Sequence, residues 1–343
     1  MADEPIDVIS KTAQECIRQV PVIVLGSGAS FSHKIRGMPE LANYLQVHII
    51  ADGQAEIDAW TLIRTSIANG DGLEVALQKN AVPQSLVRKI VALTWTAIAT
   101  DDLALLQRVL AGNEVFPLSE LIQKLFDSTA NTLNIVTPNY DRIAEYACDF
   151  SDCMHLTGFM PGLIRRREGA DAISIRRGTH RARTTRIWKV HGSLDWFEDD
   201  HGAVYSLPLS KSLPEGFHPL IVTPGVSKYE RTHDEPFRSA LHGADNALGS
   251  ASAVLCVGYG FRDTHIQPRL VERCRQKNVP IVILAKTLTE ETKKFMTNSA
   301  GDAYLALEDC DEGTRAFSRE FENGAIIADQ KLWSFDQFNR LVL

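Results

Sequence analysis

Residues 22–30 read Val22-Ile23-Val24-Leu25-Gly26-Ser27-Gly28-Ala29-Ser30, and this stretch decides the fold. Four consecutive apolar residues predict a strand that is buried on both faces of a parallel sheet. Because glycines allow close approach and positive φ, the N–H groups of the turn that follows can face a phosphate. A dinucleotide fingerprint would need a third small residue at position 31, where this chain has Phe31. The stretch alone therefore leaves two interpretations open, a phosphate loop or a strand-to-helix turn without a ligand.

Four later segments share the apolar, β-branched character of the first strand. They are residues 133–136, 185–190, 253–257 and 280–285. Residues 6–20 and most of 39–130 instead place apolar residues at helical spacing, interrupted by Gly and Pro. We therefore predict an α/β fold, a Rossmann-like parallel sheet with helices on both faces. Residues 1–38 and 131–343 would form this Rossmann-like domain, and residues 39–130 a helical insertion.

The composition is that of an ordinary globular protein, with 44% hydrophobic and 23% charged residues in a chain of 343. The net charge of −7 gives no overall attraction to nucleic acid. No apolar run approaches the about 20 residues of a membrane span, and the N-terminus has no secretion signal. We expect a cytoplasmic protein that does not contact a membrane.

Polar residues follow four of the predicted strands, where parallel sheets hold their ligands. These four clusters are Gly26-Ser27-Gly28-Ala29-Ser30, Thr137-Pro138-Asn139-Tyr140-Asp141, His191-Gly192-Ser193 and Gly258-Tyr259-Gly260-Phe261-Arg262-Asp263. Because the carboxyl ends of parallel strands meet at one edge of a sheet, we expect the four clusters to share one crevice.

With these clusters in this order, the chain resembles the sirtuin superfamily, specifically the sirtuin-like NAD-hydrolysing domains of bacterial anti-phage defence systems. Residues 26–30 are similar to the family's glycine-alanine-glycine-X-serine loop, and residues 37–39 to its glycine-isoleucine-proline element. Residues 137–141 are similar to its threonine-glutamine-asparagine-isoleucine-aspartate motif, with Pro138 in place of the glutamine. His191-Gly192 is similar to its catalytic histidine-glycine pair.

The chain departs from sirtuin deacylases in one large feature. Deacylases carry a four-cysteine zinc module after the catalytic histidine, and residues 194–252 contain no cysteine. That module forms part of the acyl-lysine cleft, so the resemblance implies NAD cleavage rather than protein deacylation. NAD would be a substrate, hydrolysed by an NAD glycohydrolase to nicotinamide and ADP-ribose.

The resemblance implies three catalytic residues. Asn139 would orient the nicotinamide ribose or a water, and His191 would take a proton from a ribose hydroxyl or from that water. Asp141 would fix the loop, with an interaction with the ribose as a second role. Each has a plainer interpretation: Asn139 as a turn residue, His191 as a core histidine, and Asp141 as the cap of the helix that begins near Arg142. The residues expected to bind NAD are Gly26, Ser27, Gly28, Ala29, Ser30, Thr137, Gly258 and Tyr259, the last with its ring or backbone against adenosine.

No metal site is expected from the sequence. The six cysteines form no CxxC pair, and only Cys148, Cys153 and His155 cluster. Asp263 with His265 gives two ligands, which do not make a site, and Asp263 is better explained as a helix cap.

An arginine-rich segment over residues 165–189 stands out in this acidic chain. Its cations are Arg165, Arg166, Arg167, Arg176, Arg177, Arg181, Arg183, Arg186 and Lys189. The segment is interpreted either as a solvated loop or as a surface for NAD phosphates, nucleic acid or an acidic partner. A nucleic-acid-binding or nuclease role through this segment is one alternative function, and an NAD- or ADP-ribose-sensing module is another.

The resemblance also implies how the activity is used. The chain would deplete NAD as an effector in anti-phage defence, under the control of oligomerisation or of a partner. We expect a homo-oligomer, and by resemblance a HerA-like ATPase is the candidate partner.

Overall fold

The computed structural model describes residues 4–168, 173–222 and 234–343. The strands are β1 Val22–Leu25, β2 Thr132–Thr137, β3 Met154–Leu156, β4 Arg165–Arg166, β5 Arg176–Arg177, β6 His180–Arg181, β7 Thr184–Lys189, β8 Gly192–Asp199, β9 Val204–Ser206, β10 Phe217–Ile221, β11 Val254–Val257, β12 Ile281–Ala285, β13 Tyr304–Cys310, β14 Gly313–Phe317 and β15 Ala325–Ala328. The helices are α1 Pro5–Arg18, α2 Ser27–Phe31, α3 Met38–His48, α4 Gly53–Ala68, α5 Leu73–Lys79, α6 Gln84–Leu110, α7 Pro117–Phe126, α8 Ile143–Asp149, α9 Phe237–Ser250, α10 Gln267–Lys277, α11 Glu290–Asn298 and α12 Phe335–Val342.

The main sheet has nine strands in the order β15-β14-β13-β12-β11-β1-β2-β7-β3. From β13 to β3 every neighbouring pair is parallel, and only β14 and β15 join antiparallel. The five strands predicted from sequence are β1, β2, β7, β11 and β12. Since β2 lies on one side of β1 and β11 on the other, the chain reverses its direction of strand addition at β1, and such a switch point opens a crevice.

Both faces of this sheet are covered by helices, which confirms the predicted α/β fold class. Ile23 and Leu25 of β1 pack in one apolar cluster with residues of α1, α7, α8 and α12. Val22 and Val24 pack in the other cluster with residues of α9, α10 and α11. The uninterrupted apolar sequence of β1 follows from this two-sided burial.

Residues 38–110 are helical and have a core of their own. Leu45, Trp60 and Leu77 belong to this separate cluster, and α6 joins it through Ile90. Further along α6, Trp95 belongs to the cluster under the sheet, as do the buried apolar residues of α7. The division into an insertion over residues 39–130 and a surrounding domain stays a prediction. Helix α7 lies within those limits but packs with the sheet and not with the helices before it.

In the described part of the chain, α6 is the one helix that is long and apolar enough to cross a membrane. The sequence had suggested no such run, because polar residues interrupt it and only a window average reveals it. Trp95, in the middle of α6, is fully buried and donates its indole N–H to Leu194 O at 2.7 Å. These contacts are those of a core helix in a globular fold.

A second sheet was not predicted from the sequence. Strands β10, β8, β9 and β4 pair antiparallel in that order, and β5 and β6 form a separate two-stranded hairpin. These strands are short or mix apolar with charged residues, so no apolar run marks them. Residues 1–3, 223–233 and 169–172, the last within the arginine-rich segment, lie outside the described residues.

Candidate active site

The glycine loop, residues 26–30, is pressed against the turn that follows β11. A Cβ on Gly26 would lie 2.3 Å from Gly258 O, and a Cβ on Gly258 would lie 2.2 Å from Ala29 N. Gly258 also has a φ of +59°, in the left-handed region that favours glycine. The two turns therefore need glycine at both contact points.

The backbone N–H groups of the glycine loop are partly used within the protein. Gly26 N donates to Val257 O, Gly28 N to Gly258 O and Ala29 N to Gly26 O, at 3.0 to 3.1 Å. In this conformation these three groups hold the loop in place, so the expected row of phosphate-facing amides is shorter than the sequence suggested. Ser27 and Gly28 are exposed, on the solvent side of the loop.

Asn139 joins the second cluster to the glycine loop. Its Nδ2 donates to Gly26 O at 2.9 Å and to Ser30 Oγ at 2.8 Å. Because a backbone carbonyl can only accept, this contact fixes which end of the amide faces the loop. The carbonyl oxygen Oδ1 is the group left to orient a water or a ribose hydroxyl.

Asp141 is a buried carboxylate that contacts both the loop and a helix. Its Oδ2 accepts from Ser30 Oγ at 2.6 Å, and its Oδ1 accepts from the N–H of Ile143, the first residue of α8. Burial raises the pKa of Asp141 despite the nearby ammonium of Lys189. Both expected roles, orienting the loop and capping the helix, are thus compatible with its contacts.

Thr137 and Tyr259 have different positions relative to the loop. Thr137 Oγ1 donates to Leu25 O at 2.9 Å and accepts from Asn139 N at 3.0 Å, so it ties the two strand ends together. The Tyr259 ring is buried against Phe261, with ring centroids 5.0 Å apart. Of the two alternatives, ring or backbone against adenosine, this burial disfavours the ring, and contact through the Tyr259 backbone, which borders the loop, stays a prediction.

His191 lies two residues beyond β7, on a bend that needs the glycine after it. Gly192 has a φ of +87°, and a Cβ there would lie 2.0 Å from Leu220 O. His191 O accepts from Val222 N at 2.9 Å, which anchors the backbone of the bend. The imidazole is largely buried, and its Nε2 lies 3.0 Å from Asp263 Oδ2.

Asp263, which the sequence indicated as a helix cap, also contacts His191, and that second contact was not predicted. Its Oδ1 accepts from His265 N at 2.9 Å and Ile266 N at 3.0 Å, in the turn that leads into α10. Burial by itself raises the pKa of Asp263, but His191 and the two N–H donors outweigh burial, so the pKa lies well below its usual range. The ionised carboxylate favours a ring proton on His191 Nε2, which leaves Nδ1 as a proton acceptor.

The structure brings the four predicted clusters together through direct contacts. Asn139 contacts the glycine loop, the loop contacts Gly258, and Asp263 contacts His191. Val190 N donates to Thr137 O at 3.1 Å, and Leu194 N to Tyr140 O at 3.0 Å, so the residues on both sides of the third cluster are bonded to the second. The arrangement is a ring of loops around the switch point at β1.

Helix α6 supports this ring with two consecutive aspartates. Asp101 accepts from Arg36 Nε at 2.6 Å and Nη2 at 2.7 Å, close to the exit of the glycine loop. Asp102 is fully buried and accepts from the Arg142 backbone N–H at 2.8 Å and from Tyr146 Oη at 2.6 Å. Nothing in the sequence marked these residues, because their partners lie far away along the chain.

Several cations of the arginine-rich segment are already paired within the protein. Arg165 Nη2 lies 2.5 Å from buried Asp195, and Arg167 Nη2 lies 3.4 Å from Glu235. Lys189 is fully buried, 3.1 Å from Glu145 Oε1. Five cations of the described part of this segment are exposed: Arg176, Arg177 and Arg181 in the β5–β6 hairpin, and Arg166 and Arg183 on either side of it.

The structure distinguishes the two groups of possible metal ligands seen in the sequence, Cys148 with Cys153 and His155, and Asp263 with His265. Cys148 and Cys153 are buried free thiols, and the partly buried His155 is paired with exposed Asp149, with 3.2 Å between Nδ1 and Oδ1. Among the described residues, the group that could hold a metal is instead His191, Asp263 and His265.

Comparison with protein families gives a match to the SIR2-like domain over residues 133–298. This region runs from β2 to the end of α11, so it includes Asn139, Asp141, His191 and Asp263. Comparison with curated proteins gives no match. The sirtuin resemblance seen in the sequence is confirmed at the level of a SIR2-like domain.

Similar solved structures are Sir2 proteins of low identity. A Sir2 homologue mutant in complex with ADP ribose is 12% identical, with 96% of each chain covered and a TM-score of 0.45. A second Sir2 homologue mutant, in complex with 2'-O-acetyl ADP ribose, is 14% identical, with 97% of this chain and 95% of that chain covered and a TM-score of 0.44. A Sir2 homolog–NAD complex is 12% identical, with 89% of this chain and 88% of that chain covered and a TM-score of 0.42.

Proposed function

We propose that this chain, with its SIR2-like domain over residues 133–298, is an NAD glycohydrolase that releases nicotinamide and ADP-ribose. The observation that carries the proposal is the contact of His191 Nε2 with Asp263 Oδ2 at 3.0 Å, in the same ring of loops that holds Asn139 against the glycine loop. An imidazole held in place by a buried carboxylate is the arrangement of a general base.

Hydrolysis of NAD needs two things from the protein: correct placement of NAD and water, and one proton acceptor. The bond between the ribose anomeric carbon and the nicotinamide nitrogen breaks, and its electron pair stays with nicotinamide, which leaves as a neutral molecule. Water bonds to the anomeric carbon and gives a proton to His191 Nδ1. Asn139 Oδ1 orients that water or the ribose, and Asp141 keeps Ser30 and the loop in position.

Protein deacylation is less well supported than hydrolysis. Residues 194–252 contain no cysteine, so the zinc module that borders the acyl-lysine cleft of deacylases has no counterpart in the sequence. Water can accept the ADP-ribosyl group without any acyl-lysine cleft.

We propose further that the enzyme acts in the cytoplasm as an NAD-depleting effector in anti-phage defence. An unregulated NAD hydrolase would harm its own cell, so oligomerisation or a partner must restrain it. A homo-oligomer and a HerA-like ATPase partner are the proposed forms of control, and they rest on the resemblance of the sequence motifs alone.

The test is release of nicotinamide from NAD by the purified chain, alone and with the product of the neighbouring gene. The variants are His191→Ala and Asn139→Ala, with exposed His201→Ala and Asn113→Ala as matched controls. We expect release by the wild type and both controls, and at least about a hundredfold less by the two site variants. Equal release by all five proteins, or release by none in either condition, would refute the proposal.

The same samples separate hydrolysis from the alternative functions. An NAD- or ADP-ribose-sensing module would bind its ligand and return it intact, and His191→Ala would leave the affinity unchanged. A nucleic-acid role would give salt-dependent DNA binding that is lost in the triple variant Arg176→Glu, Arg177→Glu, Arg181→Glu. We expect this triple variant to cleave NAD normally, because the three side chains are exposed on the β5–β6 hairpin.

A further inference from the structure

Three potential metal ligands converge beyond the ends of β7 and β11. They are His191, Asp263 and His265, and one ligand atom from each lies within 4.8 Å of the other two. The two imidazole rings meet edge to face, with centroids 5.7 Å apart. Imidazole nitrogens and a carboxylate oxygen are the ligand types that zinc and similar transition-metal ions prefer.

The separations between these atoms suit an ion placed among them. Ligands at about 2.0–2.1 Å from a tetrahedral zinc lie about 3.3 Å from one another. The structure has 3.0 Å between His191 Nε2 and Asp263 Oδ2, and 3.9 Å between Asp263 Oδ1 and His265 Nδ1. Each histidine thus faces a different oxygen of the same carboxylate, one slightly closer and one slightly farther than the zinc geometry.

Two further observations indicate a prepared site rather than a chance cluster. His191 Nε2 is buried and, within the described residues, makes no well-aligned hydrogen bond, although Asp263 lies close to it. Asp263 is held by the N–H groups of His265 and Ile266, as metal-binding carboxylates are held by outer hydrogen bonds. Three protein ligands would leave a fourth position for water, as in open zinc sites.

We propose that His191, Asp263 and His265 bind a divalent transition-metal ion, with Zn²⁺ as the best fit, and that this ion inhibits the enzyme. When Nε2 of a neutral imidazole bonds to a metal, the ring proton sits on Nδ1, which then donates and no longer accepts. The ion would also neutralise Asp263. Inhibition rests on the proposed function, whereas metal binding does not.

The binding arm uses the full chain without NAD. Zn²⁺ is titrated by calorimetry and Co²⁺ by its visible absorption, with the wild type, His265→Gln and the exposed control His201→Gln. We expect one ion per chain for the wild type and the control, and an affinity at least about tenfold lower for His265→Gln. Absence of binding, or equal binding by all three proteins, would overturn the site. Thermal unfolding of His265→Gln checks that its fold is intact.

The activity arm measures nicotinamide release as Zn²⁺ is added and then removed with EDTA. We expect reversible inhibition of the wild type, and His265→Gln should keep its basal turnover but need about tenfold more Zn²⁺ for the same inhibition. Stimulation by Zn²⁺, or equal inhibition of both proteins, would overturn the inhibitory role. If no protein releases nicotinamide, the proposed function fails while the binding arm still decides the metal site.

Discussion

At the residue scale, the Asp263 carboxylate links the turn after β11 to the imidazole of His191. One oxygen of Asp263 completes the turn before α10, and the other faces His191. The turn fixes the carboxylate, and the carboxylate in turn fixes the orientation of the imidazole. Asp263 is therefore a positioning residue, which acts on the substrate only through His191.

Asp263→Asn tests this positioning role. The amide would keep an oxygen for the two backbone N–H groups but present an NH₂ group to His191 Nε2, which favours the wrong tautomer. We expect kcat for nicotinamide release to fall by about 10²–10⁴-fold while KM stays nearly unchanged. Asp245→Asn, at a surface ion pair with Arg269, is the control and should match the wild type. A change in KM with kcat unchanged would contradict the positioning role of Asp263.

Gly258→Ala tests the close approach of the two glycine turns. The added Cβ would lie 2.2 Å from Ala29 N and 2.4 Å from Gly28 C, at a φ of +59°. We expect a loss of about 2–4 kcal/mol in the free energy of unfolding, measured with urea, together with weaker NAD binding. Gly249→Ala, where a Cβ meets nothing within 4 Å in α9, should instead be neutral or slightly stabilising. Similar effects at both positions would show that the contact is unimportant.

Much of the candidate site could be predicted residue by residue. Parallel strands end at one edge, so Asn139, Asp141 and His191 could be grouped from their positions after apolar runs. The pairing of His191 with Asp263 could not be predicted, because it joins two loops whose relative placement depends on the whole sheet. The buried Tyr259 ring shows the same limit, since a sequence position after a strand does not say which way a side chain points.

At the element scale, α6 is the helix that connects the helical part of the chain to the site. Its Asp101 holds Arg36 after the glycine loop, and its Asp102 holds Arg142 after Asp141. A movement of α6 along its axis would shift both loops together. One helix therefore holds both the segment after the glycine loop and the segment after Asp141.

Asp102→Ala tests this connection. Removal of the fully buried carboxylate would leave Arg142 and the Tyr146 hydroxyl without their shared acceptor. We expect a loss of about 3–5 kcal/mol in the free energy of unfolding by urea, and lower NAD cleavage in the remaining folded protein. Asp58→Ala, on the exposed face of α4, should change stability by less than about 0.5 kcal/mol. An equally small effect at position 102 would refute the connection.

Elements with a simple apolar pattern were predictable, and those without one were not. Strands β1, β2, β7, β11 and β12 are buried runs that any parallel sheet requires. Strand β9 has only three residues, Val204–Ser206, and strands β8 and β14 carry charged residues within their apolar sequence. Their pairing depends on distant partners, which local sequence does not specify.

At the scale of the whole molecule, stability in acid depends on carboxylates that the fold keeps ionised. The pKa of Asp263 is lower in the folded chain than its ordinary value of about 3.9. The stability that it contributes is therefore fully present above that value and is lost as the pH falls toward the folded-state pKa.

The wild type and Asp263→Asn should accordingly differ less in acid than at neutrality. We expect the difference in their free energies of unfolding, from urea titrations, to be constant from about pH 5 to 7 and to shrink below about pH 4. A difference that grows as the pH falls would mean that Asp263 is not stabilised as the anion.

The length of α6 has a consequence for how the molecule unfolds. One continuous helix of 27 residues contributes Ile90 to the core of the helical part and Trp95 to the core under the sheet. If α6 unfolds, apolar surface becomes exposed in both cores. The two cores should therefore melt as one cooperative unit, and a protease that cuts between α3 and α5 would not release a stable sheet domain.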